Sequence, residues 1–259
     1  MYGPARIIFT TLMIFLLAFS AQAKEPVGKI SFPLNRVFVI PAGTSSLSYA
    51  QFNMDVFPGD KIETKKSSRC EITLTNGDII RIDENSIYTL EAMNLAENTV
   101  KAESFLGIGK LWANIRKIFS EDDYFKVKSP SAVIAVRGTI YRIDANPDTT
   151  TQVVVYDGAV DVAPNAGSGG GQPQQESRQV APPRPQQIAP PQQVAPPQQV
   201  AGPSEVSVET WVQIVKAQQQ IYIRPDGTYD QQAFDPEADG KLEWVQWNKR
   251  RDAMLERDR

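Results

Sequence analysis

Few residue groupings in this chain have the types and spacing that chemistry needs. Asp78 and Asp83 form the best carboxylate pair. Glycoside hydrolysis would ask them to face each other about 5–10 Å apart, but both fall where strand turns and solvent faces are expected. Gly107-Ile108-Gly109-Lys110 carries two glycines and a lysine, yet the glycine spacing is wrong for a phosphate loop and no Ser or Thr follows the lysine. Three acids, Glu121-Asp122-Asp123, stand between Phe119 and Tyr124. An EF-hand spaces its ligands rather than running them together, so this cluster reads as a solvated loop. The chain has no histidine, which removes the commonest general base and transition-metal ligand. Its one cysteine, Cys70, alternates with Ile72 and Leu74 and so reads as a small buried side chain. The expectation is a protein without catalysis, cofactor or metal.

The elements around these residues are strands. Apolar residues run from Val133 to Val136 in Ser129–Asp144, and Arg137-Gly138-Thr139 follows before the apolar pattern resumes at Ile140. An arginine there must be paired or reach water, because burying it alone is costly. Gly138 suggests a bulge or a close backbone approach. Val153 to Val162 reads as two alternating strands around an Asp157-Gly158 turn. Upstream stand Pro58-Gly59-Asp60-Lys61-Ile62-Glu63-Thr64, then Cys70 to Asp78 with Ile80 and Ile82, then Asn85-Ser86.

Together these segments resemble the FecR domain family, over roughly Val27 to Val162. The resemblance implies an all-β extracytoplasmic module, a twisted β-sandwich or a short β-solenoid. It implies structural roles for the motif residues Gly59, Asp60, Thr64, Arg137, Gly138, Thr139, Asp157 and Gly158. The best-known members are iron-uptake regulators that relay an outer-membrane receptor signal to a cytoplasmic sigma factor. Those regulators carry a cytoplasmic domain before their membrane helix. Here six residues precede the first apolar run, so direct sigma-factor control is not expected.

That run, Ile7 to Phe19, is apolar except for Thr10 and Thr11, and the small-x-small signature Ala21-Gln22-Ala23 follows it after Ser20. It is shorter than the ~20 residues of a membrane span. Residues 1–23 therefore read as a cleavable signal peptide for export to the periplasm, with no stable span after cleavage. Removing them deletes Arg6 and no acid, which moves the net charge from −3 to −4. Mild acidity argues against a nucleic-acid partner. One cysteine closes no internal disulfide, so a β core in residues 24–163 must carry the stability.

Between residues 164 and 204 the composition shifts. Ten of the 19 prolines fall there, and a hexad recurs from Gln186, Gln192 and Gln198. Such a proline-rich segment cannot bury a core and should be disordered, sampling polyproline II. It is either a linker or an insertion within one domain. Residues 205–259 should add two strands, Glu205–Val215 and Gln220–Arg224, a turn at Pro225-Asp226-Gly227, and an amphipathic helix over Lys241–Arg259 started by Asp239. Trp211, Trp244 and Trp247 lie in this region. They either clamp the helix onto the β domain or offer a surface to a partner. The function expected is a non-catalytic sensor or adaptor module of the bacterial envelope, in signal transduction and protein binding with another envelope protein. The alternative is an envelope structural or glycan-binding protein that uses the C-terminal aromatics on cell-wall glycan.

Overall fold

The computed structural model describes residues 24–96, 99–116, 123–165 and 212–257. The expected signal peptide, Glu121-Asp122, Trp211 and nearly all of the Pro/Gln-rich segment lie outside the described residues.

The chain winds back and forth between two hydrogen-bonded ladders, here called front and back. It enters the front with β1 (Gly28–Leu34) and passes to the back for β2 (Val37–Ile40) and β3 (Ser48–Tyr49). It returns to the front with β4 (Asp55–Val56) and crosses again with β5 (Lys61–Thr64). Then β6 (Arg69–Leu74) and β7 (Ile79–Ile82) lie in front and β8 (Ser86–Ala96) behind. The long β9 (Thr99–Asn114) begins in the back ladder and ends in the front one. The alternation continues with β10 (Tyr124–Lys128) and β11 (Ala132–Val136) behind, then β12 (Ile140–Ala145) and β13 (Thr151–Asp157) in front. Finally β14 (Ala159–Pro164) and β15 (Gln213–Lys216) lie behind, and β16 (Gln219–Ile223) and β17 (Tyr229–Ala233) in front. The front order is β4-β1-β6-β7-β9-β12-β13-β16-β17, and the back order is β3-β2-β5-β8-β9-β10-β11-β14-β15. Neighbours are antiparallel except β9 with β10. Sandwich and solenoid thus describe one object, in which two faces are wound by a single chain that alternates between them.

Period-two patterning builds the interior. In β2, β10 and β11 every second residue is buried, as a sheet with one wet face requires. One contiguous core draws Ile30, Ile72, Ile80, Tyr141 and Val155 from the front and Val39, Ile62, Leu90, Val127 and Ile134 from the back. Cys70 is fully buried in it. Burial pushes its thiol well above the ordinary range, so it is an inert packing residue. The strands on either side of segment 166–211 share the same ladders, since β15 pairs with β14 and β16 with β13.

Strand β7 breaks the pattern, because all four of its residues are buried. Its outer face is covered by the C-terminal helices. Asp235 caps α1 (Pro236–Gly240) by accepting from the Glu237 and Ala238 amides. Pro236 at the first turn suits an N-terminus that needs no amide there. Asp239, the residue whose position suggested a cap, is turned instead toward the sheet. The long helix α2 (Glu243–Arg257) lies within the expected Lys241–Arg259 span.

Two other expectations are corrected. The Asp157-Gly158 turn does not close a hairpin: β13 pairs with β12 and β16, whereas β14 pairs with β11 and β15. Gly158, at φ 81°, swings the chain from front to back. Asp78 and Asp83 do not lie on solvent faces. They are 1% and 6% exposed, because Asp78 accepts from the Arg116 amide and Asp83 sits under Arg69.

Candidate functional site

The family-motif residues gather where the chain crosses between ladders. Gly59 and Asp60 join β4 to β5. The Asp60 carboxylate accepts from the Ala42 and Phe57 amides at 3.0 and 2.9 Å, and the Gly59 amide donates to the Leu90 carbonyl. Thr64 ends β5. Its hydroxyl donates to the Asp83 carbonyl and accepts from the Ser86 amide, tying the β5 crossing to the one between β7 and β8. Arg137-Gly138-Thr139 carries the chain from β11 to β12, and Asp157-Gly158 from β13 to β14. These two corners touch. The Thr139 hydroxyl donates to the Ala159 carbonyl at 2.8 Å, and a Cβ on Gly158 would come 2.7 Å from the Gly138 carbonyl. The Arg137 residue is exposed at its corner.

A second constellation covers the outer front face. One register row runs Glu71, Arg81, Trp112, Arg142, Val154 across β6, β7, β9, β12 and β13. All five are buried, and Glu71, Arg81, Trp112 and Arg142 bond to side chains of the helices. Arg81 lies at its centre, with Nε 2.6 Å from Glu71 Oε2 and Nη1 2.7 Å from Asp252 Oδ1 of α2. Asp252 also accepts from Trp112 Nε1 at 3.0 Å and Asn114 Nδ2 at 3.2 Å. Arg251 closes the network from above with two 2.7 Å bonds to Glu71. Burial alone would push the Glu71 carboxyl up. The hydrogen bonds and charges of Arg251 and Arg81 outweigh it and hold the group below the ordinary glutamate value.

An equivalent anchor lies across β9. Arg142 Nη1 is 2.7 Å from Asp239 Oδ1, whose other oxygen accepts from the Tyr156 hydroxyl at 2.8 Å. Arg142 Nε stands 3.2 Å from Asp144 Oδ1. Desolvation dominates at Asp144 and raises its pKa despite Arg142. Burial raises Asp83 in the same way, against the pull of Arg69. The two anchors share a sequence signature, Arg81-Ile82-Asp83 at the end of β7 and Arg142-Ile143-Asp144 on β12, the two strands that flank the end of β9. Each arginine takes a carboxylate from a helix. This repeat was available in the sequence and is the signal that the pattern reading passed over.

Aromatics complete the covering. Trp112 stacks on Tyr156 at 4.5 Å and Trp244 on Trp247 at 5.3 Å. The Arg69 guanidinium lies 5.2 and 5.0 Å from the centres of the last two rings. Trp244 is 5% exposed and cannot reach a partner while α2 is docked. Trp247 is half-buried beside it.

No curated protein matches the chain. Residues 60–161 match the family model described as "FecR protein". The chain therefore carries a FecR domain over those residues, within the span where the motifs resemble that family. Two crystal structures of a "putative anti-sigma factor" from Parabacteroides distasonis ATCC 8503, at 1.65 and 2.50 Å resolution, are similar at 14% identity and a TM-score of 0.43. Each similarity covers 68% of this chain and 60% of that one.

Proposed function

We propose that this chain is a non-catalytic sensor or adaptor module of the bacterial periplasm that acts by binding another envelope protein. The observation that carries this reading is the FecR domain over residues 60–161. The extracytoplasmic compartment is inferred from the signal-peptide outline of residues 1–23. The geometry of the front face supports a protein-binding role, since its buried charges are arranged to hold an α-helix by side-chain pairing. The aromatics weigh against the glycan reading: Trp244 and Trp247 stack on each other beneath Arg69 and Arg251 rather than facing solvent. The motif residues serve this role indirectly, by shaping the corners of the scaffold.

The test is affinity capture from envelope extract with the chain starting at Lys24, followed by reconstitution with the captured protein in purified form. The reading predicts a saturable complex with one envelope protein. Failure of every enriched candidate to bind as a pure component would overturn it.

A further inference from the structure

The helix α2 occupies its face in a way that suits a removable cover. The sandwich core and the small cluster under the helix are separate groups of buried side chains, and no α2 residue belongs to the former. Because α2 follows the last strand, its departure breaks no strand pairing. Apolar contact is modest: Trp244 and Val245 are its buried apolar residues, with Trp247 packed beside them. Trp247 also meets Phe32, and the rest of the grip is charged and polar, through Glu243, Asn248, Arg251 and Asp252. Buried ion pairs recover little net free energy once desolvation is counted. Arg81 Nη2 and Trp244 Nε1 are buried with no protein acceptor. A buried donor left unmade disfavours the docked state.

With α2 lifted, the front face would present Arg69 and Arg81 beside Trp112 and Tyr156, while Arg142 would keep its pair with Asp239 of α1. Glu71, Asp83 and Asp144 lie between them. Arg81 would then have lost Asp252, and the acceptor-poor Nη2 would face the incoming chain. We propose that α2 is a displaceable cover and that the face beneath it docks an amphipathic helix of the partner protein, one that presents aromatic residues and carboxylates to Arg81. This rests on the adaptor reading and names its site. The resident helix shows the pattern required: a Trp244/Trp247 pair, then a carboxylate at Asp252, which lies two helical turns beyond Trp244 and on the same face.

The experiment needs no envelope partner, so its failure is distinct from failure of the capture test. A fluorescein-labelled peptide with the sequence of residues 243–257 is titrated into the full chain from Lys24. It is also titrated into the full chain carrying Trp247→Ala and Asp252→Asn, which weaken only the resident helix. A displaceable cover predicts that the peptide binds the double variant at least tenfold more tightly than the unaltered chain. It also predicts that a peptide carrying the Asp252→Asn change binds the double variant at least tenfold more weakly than the unaltered peptide. Equal binding to both chains, or no binding to either, overturns the proposal. Hydrogen exchange on the unaltered chain keeps the test independent of variant folding. Exchange of α2 amides at least a hundredfold faster than those of β9 and β12 is expected, and equal protection overturns the proposal.

Discussion

The two outer faces of this sandwich use the same residue types to different ends. In front, Arg81 and Glu71 pair at 0% and 2% side-chain exposure beneath a helix. Behind, Lys128 pairs with Glu103 at 2.7 Å and Glu91 at 3.1 Å, with side chains 27–38% exposed. Both faces thus carry cross-strand ion pairs on the non-core side of their strands. Only the front pairs beneath α1 and α2 are desolvated; at the edge of the same ladder Lys29–Asp55 stays exposed. A sheet's outer face is normally polar because water covers it; here a helix replaces that water and must supply the partners water would have supplied. The front charges are therefore committed to one geometry, while the back ones can exchange partners with solvent at little cost.

The comparison is tested most severely at Arg81. Removing it leaves Asp252 without a cation and Glu71 with Arg251 alone in a buried site, and breaking a buried pair costs about 3–5 kcal/mol. The loss is capped by the docking free energy of α2, since the helix can lift and let water take the charges. Arg81→Ala should therefore lower the urea unfolding free energy by up to about 3–5 kcal/mol, or else leave a folded sandwich with a melted helix. Far-UV circular dichroism alongside the urea titration separates the two outcomes. A variant with unchanged stability and full helix signal would break the comparison.

Much of the framework was legible in the sequence. Alternation at Cys70, Ile72 and Leu74 put those residues on the core face, where they are buried. The C-terminal tryptophans and their spacing marked the helix. The winding was not legible, because Asp157-Gly158 between alternating runs is the ordinary signature of a hairpin. What separates a hairpin from a crossover is which ladder each strand joins, and no local signal encodes that. The buried network was missed for a related reason. On a one-sided strand Glu71, Arg81, Arg142 and Asp144 sit at the wet positions, and only the packed helix turns those positions into an interior. The clue was charge inside an apolar run, Ile80-Arg81-Ile82, repeated as Tyr141-Arg142-Ile143.

Arg251 occupies the rim of the front face and should respond in between. Its guanidinium makes two parallel bonds to Glu71 while its side chain is 24% exposed. A lysine keeps the charge but cannot reproduce the fork. Arg251→Lys should cost about 1–2 kcal/mol, of the order of one charge-assisted hydrogen bond, read from the same urea titration. On the back face Lys128→Ala should cost less than about 1 kcal/mol, and 1 M salt should shrink the effect further. A Lys128 loss matching that of Arg81 would mean that burial does not distinguish the faces.

The smallest effect concerns pH, and it separates residues within the front face. Glu71, held below its ordinary pKa, contributes stability that is complete above the unfolded glutamate value near ~4.3 and is lost as pH falls through its folded value. Asp83 and Asp144 work the other way. Burial raises their folded pKa, so the native state binds the proton more readily than the unfolded chain. From the ordinary aspartate value near ~3.9 up to the raised folded values, stability must then fall as pH rises. The charged form of Asp144 is a liability at neutral pH that Arg142 only partly offsets. Asp144→Asn removes that titration while leaving Arg142 its bond to Asp239. The Asp83 and Asp144 contribution to the unfolding free energy should rise as pH is lowered from their raised folded values toward the ordinary aspartate value, and Asp144→Asn should show a shallower rise, with Asp83 supplying the remainder. A variant whose pH slope equals that of the unaltered chain would show that Asp144 titrates as an ordinary surface carboxylate, and that the helices leave this corner of the front face as wet as the back.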